Sequence, residues 1–222
     1  MSPTLIILDS PIGGGKSCTI NALKAYIEEK ETISFKIAYV AEPVLDFLKW
    51  KTYTPLALME SNPIENAKIV QVHIIRTLAT FYREQFELYK GYDIIICDRY
   101  MQSTYIFIYT LFECGYITEF EQEVLLATLK DYEMSLPKAD STIYLKRDTA
   151  WCLDHIQLRS RDGELKLCTE KYIGVLVKQY EKYMFSKENV HVVNSTDLNE
   201  ITKSLFQFVT EKICSRKNVK QQ

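Results

Sequence analysis

Leu5-Ile6-Ile7-Leu8-Asp9-Ser10-Pro11-Ile12-Gly13-Gly14-Gly15-Lys16-Ser17 sets an apolar run against a glycine triplet and a Lys-Ser pair. The run reads as a short buried strand, and a helical pattern follows from Cys18 to Glu29. Strand, glycine loop, Lys-Ser and helix together make a cradle for nucleotide phosphates. Glycines let backbone N–H groups converge on an anion where a Cβ would obstruct them. The helix N-terminus adds its positive end. Lys16 is placed for the β- and γ-phosphates and the Ser17 hydroxyl for Mg²⁺, with Ile12, Gly13, Gly14, Gly15 and Cys18 completing the donor site. Ser10 departs from the pattern G-x-x-x-x-G-K-[ST], which asks for glycine at its first position.

Outward from this stretch, strand and helix patterns alternate. Phe35 to Ala41, Asp93 to Cys97, Thr142 to Leu145 and Val190 to Val193 read as further strands. Helical patterns cover Val44 to Trp50, Ile64 to Lys90 with Gly91 as its cap, Met101 to Cys114, Glu119 to Ser135, a stretch from Thr149, Glu170 to Phe185, and Ile201 to Ile213. The segment with Pro55 and Pro63 reads as irregular. Strands separated by helices predict an α/β fold: one parallel sheet of five strands, helices on both faces. Ligands on such sheets gather beyond the C-terminal strand ends, where the phosphate loop, Glu42 and Asp98 all fall.

The 222 residues suit one domain, with a flap at about 155–168 and a frayed tail at about 215–222. A net charge of −2 gives no footprint for nucleic acid or an anionic membrane. The six cysteines show no metal-ligand spacing, which points to buried thiols in a reducing compartment. No apolar run approaches the about 20 residues of a membrane span. The loop begins too near Met1 for a signal or transit peptide, so a cytoplasmic or nuclear setting is expected.

Several side chains at the sheet edge carry chemistry. Glu42, between a strand and Pro43, could take a proton from a hydroxyl or hold Mg²⁺ through water. Asp98 has the place of a second Mg²⁺ ligand, and Arg99 could hold a phosphate or orient Glu42. Arg159 and Arg161, in a charged stretch, read as a closing flap that neutralises the transferring phosphoryl group. Gln71 carries a bidentate amide suited to a nucleobase edge.

In this order the set resembles the deoxynucleoside kinases, the family of thymidine, deoxycytidine and deoxyguanosine kinases. The resemblance rests on Gly13 to Ser17, Glu42-Pro43-Val44 with Trp50, Gln71, Asp98-Arg99, and Cys152 through Glu164. It implies a P-loop kinase fold, ATP or another nucleoside triphosphate as donor with Mg²⁺, a small deoxynucleoside as acceptor, and a homodimer. By resemblance Glu42 is the general base for the 5′-hydroxyl, Arg99 positions the 5′-oxygen, Gln71 pairs with the base, Arg159 and Arg161 are flap arginines, and Glu164 holds the 3′-hydroxyl. Ile74, Leu78 and Thr104 align with the base pocket; they lack the Arg and Asp of deoxycytidine-preferring members, which favours thymidine, with other pyrimidine deoxynucleosides as further acceptors.

Three positions depart from the family. Glu60 stands where a sugar-contacting tyrosine is common, with Tyr53 as a substitute; Ile108 replaces a stacking aromatic; His155 replaces a flap arginine. The nearest rival is thymidylate kinase, which shares Asp98-Arg99-Tyr100-x-x-Ser103, but Glu42-Pro43 lacks the Gly-Gly-Thr expected next, and its phosphate clamp would fall to Arg76. A nucleotide-dependent switch would need a guanine-reading Asn-Lys-x-Asp, and Asn194-Ser195-Thr196-Asp197 has no lysine.

Overall fold

The computed structural model describes residues 2–30, 35–43, 54–159 and 164–219, without the side chains of 56, 164, 165 and 215–219. Its centre is β1 (Thr4–Asp9), every residue of which is buried. With β2 (Ile37–Val40), β3 (Ile94–Asp98), β4 (Ser141–Leu145) and β5 (Val190–Val193) it forms a five-stranded sheet in the order β2-β3-β1-β4-β5. Every pairing is parallel, with Leu8 beside Asp98 and Asp9 beside Tyr144.

Both faces of the sheet are apolar because alternate residues of each strand enter different cores. Leu5, Ile7, Ile95, Cys97 and Tyr144 pack under α3 (Pro63–Leu88), α4 (Met101–Glu113) and α8 (Glu170–Phe185). Ile6, Leu8, Ile94, Ile96, Ile143 and Leu145 pack under α1 (Lys16–Glu28) and α9 (Leu198–Val219). Each such Leu or Ile contributes about 1.5–3 kcal/mol through burial. The remaining helices are α2 (Pro55–Ser61), α5 (Glu119–Glu133), α6 (Thr149–Arg159) and α7 (Glu164–Leu167). No helix among the described residues is long and apolar enough to cross a membrane.

The predicted strands are all present. Two local expectations change. The segment with Pro55 and Pro63 is not irregular: each proline occupies the first turn of a helix, α2 or α3, behind Thr54 and Asn62 side-chain caps. Gly91 does not cap α3, whose C-terminal cap is Tyr89, and Gly91 lies outside the left-handed region. The helix predicted over 44–50, with Trp50 and Tyr53, lies outside the described residues. Cys97, Cys152 and Cys168 are buried, whereas Cys18 and Cys214 are exposed.

Candidate active site

The phosphate loop leaves the buried end of β1. Gly13 and Gly15 adopt φ of +81° and +87°, a region that costs other residues about 1–2 kcal/mol. Gly13 is closed off as well, since a Cβ there would lie 2.3 Å from the Cys152 carbonyl oxygen of α6. Ser10 is fully buried and, among the described residues, only Arg99 combines a side chain with positive φ. Ser10 therefore sits in its exceptional place without backbone strain. Gly15 caps α1 without a side-chain bond, which leaves the first N–H groups of that helix open to an anion. Lys16 is buried at this mouth, and burial, with Arg99 nearby, pushes its ammonium pKa down.

Asp98 ends β3 across from the loop. The Ser17 hydroxyl donates to Asp98 Oδ2 at 3.0 Å. Asp98 Oδ1 is buried with no hydrogen-bond partner, so one oxygen of an acid beside the phosphate cradle is uncommitted. Hydroxyl plus carboxylate is the hard-oxygen donor set Mg²⁺ takes, with phosphates and water supplying the rest. No group of three His, Cys, Asp or Glu residues that could hold a metal by itself occurs among the described residues. The pair fits a cation carried in with the nucleotide.

Arg99 follows with φ +66°, its N–H donating to Leu8 O at 3.0 Å and its carbonyl accepting from the Tyr82 hydroxyl at 3.1 Å. Its Nε lies 2.9 Å from Glu42 Oε1. The Glu42 side chain remains 46% exposed, so an acceptor can reach it. Desolvation would raise its pKa, but Arg99 and Lys16, with Arg159 adding to them, hold the carboxyl below its ordinary value. An ionised, reachable carboxylate at this place can accept a proton from a hydroxyl.

Sequence reading missed what stands behind Arg99. Asp9, fully buried at the end of β1, meets Arg99 Nη1 at 3.3 Å and accepts from the Tyr180 hydroxyl at 2.9 Å, Ser103 Oγ at 2.6 Å and Ser10 N–H at 2.9 Å. Tyr180 also contacts Arg99 Nη1 directly. A signal existed for Asp9: Ile-Ile-Leu-Asp of β1 repeats the pattern of Ile-Ile-Cys-Asp in β3. Tyr180 sits in the apolar stripe of α8 and offers no such signal.

On the acceptor side, Gln71, Ile74 and Leu78 share one face of α3 by their i, i+3, i+7 spacing. Gln71 is 5% exposed. Thr104 is buried on α4. Ile108 belongs to the core, and its neighbour Phe107 places its ring 5.2 Å from the Arg99 guanidinium carbon. Glu60 is engaged by Lys166 of α7. Arg159 is exposed at the end of α6, where its charge reaches Glu42. His155 stacks on Trp151, ring centroids 4.2 Å apart. Arg161 and the Glu164 side chain lie outside the described residues, so Ile12 to Cys18, Glu42, Asp98 and Arg99 are the predicted residues the structure gathers at one edge.

Comparison with known proteins agrees with this layout. Residues 6–220 match the family model described as deoxynucleoside kinase. No curated protein sequence matches the chain. Among solved structures, a deoxyadenosine kinase from M. mycoides with products dCMP and a flexible dCDP bound aligns at TM-score 0.72 and 18% identity, covering 94% of this chain and 100% of that one. Deoxyadenosine kinase from M. mycoides with bound dATP aligns at 0.68 and 20%, covering 95% and 99%. At such identity these two speak for the fold, whereas the family match spans nearly the whole sequence. The chain with this phosphate cradle and this acid-arginine edge belongs to the deoxynucleoside kinase family and is a phosphotransferase.

Proposed function

We propose that the protein transfers the γ-phosphoryl group of ATP, or another nucleoside triphosphate, to the 5′-hydroxyl of a deoxynucleoside, with thymidine the preferred acceptor. The observation that carries this reading is Glu42: ionised, half exposed, and 2.9 Å from Arg99 at the edge where the phosphate loop opens. The acceptor oxygen bonds to the γ-phosphorus, the bond to the bridging oxygen breaks, and the hydroxyl proton passes to Glu42. Arg99 aims Glu42 and steadies the 5′-oxygen. Lys16 and the loop N–H groups hold the β- and γ-phosphates, and Arg159 and Arg161 offset equatorial charge from the flap. Ser17 and Asp98 would hold Mg²⁺, and Glu42 could act on it through water. Mg²⁺ supplies charge neutralisation on the donor phosphates.

Gln71 supports the nucleoside side of the reading, because a buried bidentate amide is suited to pair with a base edge. Its neighbours Ile74, Leu78 and Thr104 are uncharged, which suits a pyrimidine bearing a 5-methyl group. Glu164 is assigned the 3′-hydroxyl by family resemblance alone. The donor reading gains support from the dATP bound by the M. mycoides relative. The whole chain is read as one domain, with the flap at 155–168 and the tail at 215–222. Exposed Ile69 and Val72 on α3 and Phe120 and Val124 on α5 offer an apolar face for a homodimer.

Thymidylate kinase retains the Asp98-Arg99-Tyr100-x-x-Ser103 motif in its favour. Yet the Ser103 hydroxyl is spent on buried Asp9. Arg76, five positions after Gln71, is turned about 140° around α3 from it and lines an exposed depression with Thr77, Thr80 and Glu84. Neither Ser103 nor Arg76 therefore supports a clamp for an acceptor phosphate among the described residues. The deciding assay offers thymidine, deoxycytidine, deoxyadenosine, deoxyguanosine and thymidine monophosphate separately, with ATP and Mg²⁺. Thymidine should show the highest kcat/KM and the monophosphate none. Turnover confined to the monophosphate rejects the nucleoside reading, and a purine ranked first rejects the thymidine preference.

A further inference from the structure

Arg99 reaches the site from an unfavourable backbone and a costly environment. Its φ is +66° and its side chain is 6% exposed. Burying an arginine beside an aspartate removes both from water, a cost that an apolar pair of the same size would avoid. The surrounding contacts show what the arrangement achieves. Nη1 is gripped by Asp9 Oδ1 at 3.3 Å and by the Tyr180 hydroxyl oxygen, which leaves Nε in an ion pair with Glu42 at 2.9 Å and with no aligned hydrogen-bond partner among the described residues. Tyr180 is itself fixed: its hydroxyl donates to Asp9 Oδ1 at 2.9 Å, and its ring stacks on Tyr144 with centroids 6.0 Å apart. The other Asp9 oxygen is held by Ser103 at 2.6 Å.

The geometry points to Tyr180 and Asp9 as positioning residues that aim the Arg99 guanidinium at Glu42 from behind the acceptor site. This deepens the proposed 5′-kinase reading and rests on it for its kinetic consequences. Both groups are fully buried, so neither is available to donor or acceptor. Asp9 also accepts the Ser10 N–H at 2.9 Å, so the carboxylate that orients Arg99 simultaneously anchors the start of the phosphate loop. One buried acid thereby fixes the distance between donor cradle and acceptor arginine, which is the quantity an in-line transfer depends on.

Tyr180→Phe removes one oxygen and keeps the stacked ring. With ATP, Mg²⁺ and the best acceptor of the panel, kcat should fall about ten- to a hundredfold while the donor KM stays within about twofold. In an Arg99→Lys background the same substitution should change kcat by less than about twofold, because the group it aims is gone. An equal fractional loss in both backgrounds would overturn the positioning role, since a general packing defect acts in each. Ser103→Ala, which releases the other Asp9 oxygen, should follow the same dependence on Arg99, and it replaces Tyr180→Phe should that variant fail to fold. A readout independent of turnover is the Arg99 Nε–H resonance, assigned by its absence in Arg99→Lys. It should be sharp and slowly exchanging in the native protein and broadened in Tyr180→Phe, and an unchanged resonance overturns the inference. If no acceptor in the panel is phosphorylated, the kinase reading falls, and the resonance alone decides this one.

Discussion

Ser10 and Gly14 are predicted to be a coupled pair. In the pattern G-x-x-x-x-G-K-[ST], glycine is asked for at the place of Ser10 and anything is allowed at the place of Gly14. Here the two are exchanged, and the structure shows why. A Cβ on Gly14 would lie 2.3 Å from Ser10 Oγ and 2.7 Å from Ser10 Cβ, with Pro11 O next at 3.1 Å. Ser10 cannot swing away, because it is fully buried and its hydroxyl donates to Pro11 O at 3.1 Å. Gly14→Ala should therefore cost about 1–3 kcal/mol of overpacking. No left-handed backbone penalty adds to this, since Gly14 has no positive φ. Ser10→Gly should cost about 1–2 kcal/mol, from one hydrogen bond and a more flexible unfolded chain. Were the sites independent, the double variant would lose about 2–5 kcal/mol.

Because Ser10→Gly removes both atoms that the new methyl group would strike, the double variant should lose no more than Ser10→Gly alone. The coupling is then about 1–3 kcal/mol favourable, the whole cost of Gly14→Ala. Urea denaturation of the four proteins measures it. Thermal unfolding should show the same ordering, at about 2–4 °C per kcal/mol for a chain of this size. A double variant as unstable as the sum of the singles would refute the steric account of the glycine triplet.

Other substitutions separate the roles at the edge. Glu42→Gln should lower kcat by about 10²–10⁴-fold while nucleotide binding, followed by calorimetry, is retained. Because Arg99 and Lys16 hold the Glu42 carboxyl below its ordinary 4.5 against desolvation, its base form persists as pH falls. The acid limb that Glu42 sets in kcat/KM should lie under that value; a limb near neutrality would assign the proton to another group. Asp98→Asn should raise the Mg²⁺ concentration for half-maximal rate by about tenfold, as expected on losing a charged ligand; an unchanged requirement would place the cation elsewhere. Gly13→Ala should destabilise more than Gly15→Ala, because both have positive φ but only Gly13 faces the Cys152 carbonyl. Equal denaturation midpoints would contradict that distinction.

The sheet was legible because each strand is apolar on both faces and bounded by turn residues, a pattern unlike the striped helices. The donor loop was legible for a similar reason: its chemistry is contiguous in the chain. Helix α2 was not, because Pro55 and Pro63 read as breakers although Thr54 and Asn62 before them are helix-cap residues. The acceptor wall was legible only by residue type. Phe107 and Ile108 are adjacent, and the helical phase that turns Phe107 towards Arg99 is set by how α4 packs. Tyr180 was the least legible. It lies 81 residues from Arg99, and its apolar neighbours in α8 mark it as core, which its ring is. Only the folded chain shows that its hydroxyl ends on a charge pair.

The pleat of the sheet explains how one dipeptide, Asp98-Arg99, can serve both halves of the proposed transfer. In β3, Ile94 and Ile96 face the α1 and α9 layer, and Ile95 and Cys97 face the α3, α4 and α8 layer. Continuing that alternation sends Asp98 to the layer of α1, where it meets Ser17 at 3.0 Å. It sends Arg99 to the opposite layer, where Tyr82, Phe107 and Tyr180 surround it. In β1 the same alternation puts Asp9 with Leu5 and Ile7 in the layer of Arg99. Parallel pairing of Leu8 with Asp98 then brings both strand ends out at one level. The acid proposed to hold the cation and the arginine proposed to face the acceptor are thus separated by the thickness of a strand and joined by a single peptide bond. Exchanging the two residues would leave the composition of the edge intact and deliver each charge to the wrong layer, so their order, as much as their presence, defines the site.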